Sequence, residues 1–303
     1  MCKIAGVTKI TDKNRDDVWV FMQFLGQRMS PGNNSGLGYA ALDKDGKIFG
    51  EKWVVNESAF KDLTKIPGVD SEKLKKVYGF FGDKVSRESA QAIILHTRAA
   101  TQGSICVKNT HPFIDDEADP SVAVIHNGWV HNFKQFTQKF STCDSEVLAH
   151  LYAENKVKTD LGNLNKFIPK IDGWFTCLTL GLDSDGKMIM DAFTDNGRLA
   201  SYFIKELDTR IYSSEGSDIV EIAQALGLTA EEPMRMTRNT GFRVNVLTGE
   251  IVAYVKLEES TAVPVRVVGS YWEDWENVTT MQGSLDDEEF RQRYFGFRGH
   301  HRE

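Results

Sequence analysis

The chain has 303 residues, 41% of them hydrophobic and 26% charged, which suits one large soluble domain with a tail or two small ones. Its net charge of −7, with no basic cluster, argues against nucleic acid as a direct partner. No apolar run approaches the ~18–20 residues that cross a bilayer, the start lacks a signal-peptide pattern, and four cysteines (Cys2, Cys106, Cys143, Cys177) lack metal-ligand or redox spacing. A cytoplasmic protein with free thiols, no metal and no cofactor is therefore expected.

In chain order, Cys2 to Thr8 reads as a short strand, and Asp12 to Met29 as a helix. Its Val18, Phe21, Met22 and Leu25 repeat at the three-four spacing of a buried stripe. Residues 36–42 and 47–54 read as a hairpin across Asp43-Lys44-Asp45-Gly46. Residues 56–88 are mixed. Ala92 to His96 and Val122 to His126 are apolar runs that end in polar clusters, as buried strands do when they deliver residues to a site. Residues 132–140, 145–155 and 160–167 look helical. From Trp174 the pattern turns to strands at 175–182, 187–193, 199–204 and 210–213, then a helix at 217–226 and a hairpin at 242–247 and 251–256. Strands flanking a middle group of helices predict a sheet-rich α+β layered domain over residues 2–256 rather than a parallel doubly wound sheet. Residues 257–303 form a tail, suited either to docking or to wrapping its own domain.

Chemistry concentrates at four places. Met1-Cys2 is a start from which methionine is normally removed, which leaves a cysteine with both a thiol and a free α-amine. These titrate near ~8.5 and ~7.7–8.0 when unperturbed, so nucleophile and base can come from one residue. Taken alone, such a start is more often incidental. Arg98 ends an apolar run, where a guanidinium can hold a carboxylate through two parallel hydrogen bonds or form a structural ion pair. Asn127-Gly128 offers a side-chain amide beside a glycine N–H, a suitable donor pair for an oxyanion, or a simple turn. Asp144, ahead of a helix, is either an N-cap or an acceptor for a substrate ammonium.

Together these blocks resemble the class II glutamine amidotransferases of the N-terminal nucleophile (Ntn) hydrolase superfamily. The resemblance rests on Cys2-Lys3-Ile4-Ala5-Gly6, His96 to Gly103, Asn109 to Phe113, His126 to Asn132 and Asp144-Ser145-Glu146, and it runs to about residue 255. It implies a four-layer αββα sandwich with antiparallel sheets. It also implies an enzyme in which Cys2 attacks the side-chain amide of L-glutamine, releasing ammonia and then glutamate through a γ-glutamyl thioester. Asn127 and Gly128 would form the oxyanion hole, Arg98 would bind the α-carboxylate, Asp144 the α-ammonium, and Thr101 and His111 would shape the pocket. Lys3 and Ala99 depart from the family pattern. Lys3 brings a charge next to the nucleophile, and Ala99 widens the pocket. With only about 45 residues after Lys256, the ammonia acceptor is expected on a separate synthase subunit; a homo-oligomer is compatible with this reading. The alternatives are a γ-glutamyl or other amide hydrolase of the same fold, and an inactive scaffold.

Overall fold

The computed structural model describes residues 2–30, 32–33, 35–54, 88–100, 103–115 and 121–262. The mixed stretch expected at 56–88 lies almost wholly outside the described residues, as do Met1, Thr101 and the tail beyond 262. The chain divides into a compact unit through Pro264 and a second unit from Val265 to Glu303.

Two antiparallel sheets form the body of the first unit. One has the order β11-β9-β10-β1-β4-β2-β3, and the other β13-β12-β8-β7-β6-β5. In the first, β1 (Lys3–Val7) pairs with β4 (Ala90–Arg98) and β10 (Thr209–Ser213), and β2 (Gly36–Asp43) pairs with β4 and β3 (Ile48–Trp53). β9 (Ala200–Ile204) and the short β11 (Met234–Arg235) complete that sheet. The second contains β5 (Phe113–Asp115), β6 (Val122–Val130), β7 (Gly173–Leu182), β8 (Met188–Thr194), β12 (Thr240–Asn245) and β13 (Ile251–Lys256). Helices α1 (Arg15–Met29) and α3 (Gly216–Ala225) cover the first sheet, and α2 (Glu146–Glu154) covers the second.

Strand alternation partitions the apolar residues into three cores. Ala5, Val7, Ile93 and Leu95 turn toward α1 and α3. Ile4, Ala92, Ile94, Ala123 and Ile125 turn between the sheets. Val122, Val124 and Val130 turn toward α2. The result is the expected αββα layering of an α+β domain with antiparallel sheets. Gly6 marks how closely the sheets approach: a β-carbon there would lie 2.9 Å from Leu178 Cδ1 across the interface.

Three local expectations are corrected. Residues 132–140 hold only a single 3-10 turn, Phe133–Gln135. The Asn132 side chain is committed to Lys170 O and Asp172 N, and the amides of Lys139, Phe140 and Ser141 donate to Glu146 rather than up a helix. Residues 161–166 are likewise 3-10, started by Asp160 accepting from Gly162 N at 2.8 Å. Asn127-Gly128 does not end its strand; β6 continues through Val130, paired with β7.

Candidate active site

The same alternation aims side chains at one end of the sandwich. Cys2 precedes β1 and shares the parity of Ile4. Arg98 ends β4 and shares the parity of Ile94. Asn127 in β6 shares that of Ile125. All three therefore lie on the inner faces of the two sheets. Lys3 pairs with Thr97, which puts Cys2 beside the Arg98 end of β4, and Cys2 Sγ donates to Ala99 O at 3.4 Å. Two bonds pin the strand start: Ile4 N donates to Ser214 Oγ at 3.1 Å, and Ser214 N donates to Ile4 O at 3.0 Å. Burial pushes the Cys2 thiol up; Asp144 also raises it, while the Ala99 backbone and the Arg98 charge pull it down. Lys3 turns the other way, with Nζ 3.5 Å from Asp218 Oδ2 on α3, so the charge beside Cys2 is engaged on the opposite face.

Arg98 and Asp144 are 2% and 4% exposed. A short network joins them. Arg98 Nη1 donates to Ser104 O (3.1 Å), and Asn109 Nδ2 donates to the same oxygen (2.9 Å). Asn109 also grips Thr142 twice, donating to its Oγ1 (3.0 Å) and accepting from its N–H (2.9 Å). Thr142 lies two residues before Asp144, whose Oδ2 accepts from Val130 N at 2.8 Å. Asp144 is not the N-cap of α2; Ser145 holds that position.

The orientation of Gly128 follows from its neighbours. Val130 N donates to Asp144 and His131 N donates to Asp172 O on the β7 side. Amides two apart in a strand face the same edge, so the Gly128 N–H faces the edge that carries Asp144. β5 pairs with β6 only as far as Val124, so among the described residues that edge has no strand neighbour at Gly128. A β-carbon at Gly128 would lie 2.1 Å from Trp174 O and 2.3 Å from His126 Nε2, so no side chain fits. Asn127 Oδ1 is buried without a hydrogen-bond partner among the described residues.

His111 stacks on His96 with centroids 3.8 Å apart and meets the Phe113 ring edge-on at 4.8 Å. Neither of its ring nitrogens has a hydrogen-bond partner among the described residues, and burial holds it well below the usual histidine range. It is thus a buried ring held in the neutral form. His126 bonds Ser145 Oγ through Nδ1 at 2.8 Å, tying β6 to the start of α2. Trp129 stands edge-on to His131 at 5.4 Å. Thr101 lies outside the described residues. Among the described residues no group of three or more His, Cys, Asp or Glu is placed to hold a metal, and no helix is long and apolar enough to cross a membrane.

Two residues matter more than their sequence blocks indicate. Asn109 links the loops that carry Arg98 and Asp144. Glu146 is fully buried and accepts from three backbone amides. The sequence signal for Glu146 is His150 four residues on, one helical turn away on the same face.

Residues 84–167 match the family model of class II glutamine amidotransferases. The glutamine–fructose-6-phosphate aminotransferase (isomerizing) of Aquifex aeolicus is 27% identical over 157 residues, covering 49% of this chain and 23% of that protein. The amidophosphoribosyltransferase of Staphylococcus aureus is 33% identical over 102 residues, covering 31% of this chain and 21% of that protein. The chain thus spans under a quarter of the length of these relatives. Among solved structures, the allosteric regulatory enzyme of purine biosynthesis superposes with a TM-score of 0.52 at 18% identity, over 80% of this chain and 47% of that one, which shows a shared fold. The family match thus places class II glutamine amidotransferase sequence at residues 84–167 of the chain.

Proposed function

We propose that this domain hydrolyses the side-chain amide of L-glutamine with Cys2 as an N-terminal nucleophile. The observation that supports the reading is convergence: β1 pairs with β4 so that Cys2 lies beside Arg98 with Sγ bonded to Ala99 O, and Ser104, Asn109 and Thr142 tie Arg98 to the segment that carries Asp144. A free amino acid carries two opposite charges on one carbon, so one fixed cation and one fixed anion select it.

With Met1 removed, the Cys2 α-amine takes the thiol proton and Sγ attacks the amide carbon. The oxygen gains the negative charge, and the Asn127 side-chain amide and Gly128 N–H donate to it. Removing one such donor typically costs ~10²–10³ in turnover. The C–N bond breaks, ammonia leaves with the proton held by the α-amine, and a γ-glutamyl thioester remains. Water then adds to the thioester, releasing glutamate and restoring the thiol. Arg98 receives the α-carboxylate and Asp144 the α-ammonium. His111 and Thr101 shape the pocket. The ammonia passes to an acceptor on a synthase partner, in keeping with the transferase names of the two relatives.

The test is ammonia release from L-glutamine by the purified protein beside Cys2→Ala, with the N-terminal mass measured on the same sample. Release that requires Cys2 in protein lacking Met1 is expected. Release that survives Cys2→Ala refutes the assignment of the nucleophile.

A further inference from the structure

Asp144 makes one hydrogen bond to the backbone of β6, yet it must hold a position to within a fraction of an ångström to select a substrate. The structure shows what fixes the chain around it. Glu146 Oε1 accepts from Lys139 N (2.6 Å) and Phe140 N (3.1 Å), and its Oε2 accepts from Ser141 N (2.7 Å). These three amides belong to the segment that delivers Thr142, Cys143 and Asp144. Cys143 N then donates to Ser141 Oγ at 3.2 Å, which continues the grip toward Asp144. Glu146 is itself held. His150, one turn along α2, places Nε2 3.0 Å from Glu146 Oε1 and Nδ1 2.9 Å from Asp115 Oδ2 in β5. His150 therefore bridges the two carboxylates, one ring nitrogen to each. All three side chains are at least nine-tenths buried, where a charge survives only when paired and hydrogen-bonded. Four acceptor bonds on one carboxylate far exceed what is needed to start a helix whose N-cap is the next residue back, Ser145.

We propose that the Asp115–His150–Glu146 chain is the positioning device for Asp144, and so sets how strongly this domain discriminates a free amino acid from an amide that lacks the α-ammonium. Glu146 and His150 are positioning residues that touch no substrate. The inference rests on the proposed role of Asp144 in binding that ammonium.

The test separates the two. Binding of L-glutamine and of glutaric acid monoamide, which is glutamine without its α-amine, is measured by calorimetry in full-length Cys2→Ala protein, which binds without turnover. The parent is expected to prefer glutamine by about 10- to 100-fold, the range that a charge-assisted hydrogen bond supplies. Asp144→Asn abolishes most of that preference. Glu146→Gln, which keeps the shape but loses acceptor capacity, lowers the preference about tenfold while affinity for the monoamide stays within about threefold. His150→Gln retains one donor toward Glu146 and gives a smaller loss in the same direction; it also serves if Glu146→Gln does not fold. A purely structural Glu146 would weaken both ligands alike, so parallel losses overturn the inference. If Asp144→Asn erases the preference but Glu146→Gln and His150→Gln keep it, the inference fails alone. If Asp144→Asn keeps the preference, the assigned role of Asp144 fails, and the inference with it.

Discussion

Replacing Asp195 with asparagine should stabilise the domain at neutral pH and have little effect in acid. Asp195 follows β8, and its Oδ1 accepts from Phe175 N at 2.8 Å. Burial raises its carboxyl from the usual 3.8 to about 6, against the opposing pull of the Phe175 amide, other backbone amides and Arg238. A native group that holds its proton more tightly than the unfolded chain stabilises the fold below the unfolded value. That contribution is lost as pH rises through the native value. At 1.36 kcal/mol for each tenfold change in proton affinity, the ceiling is about 3 kcal/mol, and about 1–3 kcal/mol is the reasonable range. Asparagine keeps an oxygen for the Phe175 N–H and never ionises. Urea unfolding of both proteins at pH 3.5, 5 and 7.5 reads the difference. It should be small at 3.5, grow between about 4 and 6, and level off above. His96, pushed down to about 3 by burial, and His111 and His126, also lowered by burial, make both proteins less stable as pH falls below about 6.5. That loss is common to the two and cancels in the difference. A gap that stays flat with pH, or that favours the wild type at 7.5, refutes the argument.

Arg98→Lys keeps the charge but loses the planar fork, and should raise the KM for glutamine about 10- to 100-fold with a smaller change in kcat, read by ammonia release. Gly128→Ala drives a β-carbon into Trp174 O and His126 Nε2, and should cost about 1–3 kcal/mol in thermal unfolding while lowering kcat. Asp191→Asn breaks the buried pair in which Asp191 accepts from Arg243 Nε and Nη2, both at 2.7 Å, and from the Tyr152 hydroxyl at 2.6 Å. A loss of about 3–5 kcal/mol in unfolding free energy is expected, with the KM for glutamine unchanged in whatever fraction stays folded.

The sandwich was legible where side-chain period alone decides the outcome. β1, β2, β4, β7 and β8 carry apolar residues on alternating or fully buried positions, and α1 carries the three-four stripe, so each fell within a few residues of its expected place. Expectation failed where local signals were overruled by distant partners. The segment 132–140 has helix-forming composition, but its amides are claimed by Glu146, and Asn132 is claimed by the loop at 170–172. β5 and β11 are three and two residues long, too short to show a period. Asn127-Gly128 reads as a turn only because Asn-Gly usually is one; here the glycine is demanded by the closeness of Trp174 O inside a sheet. The site residues belong to a third category. No single block identifies Arg98 or Asp144, because an arginine at a strand end and an aspartate before a helix are ordinary features. What unites them is parity and register: β1 lies beside β4, β6 faces both across the sandwich, and one end of that inner layer gathers residues 2, 98 and 127. Asp144 reaches the same end through its bond to Val130, not through its own element. The distance in sequence between these residues is therefore a consequence of the antiparallel pairing. The loop anchors that fix them, Asn109 and Glu146, are as much a requirement of the proposed chemistry as the charged groups they hold.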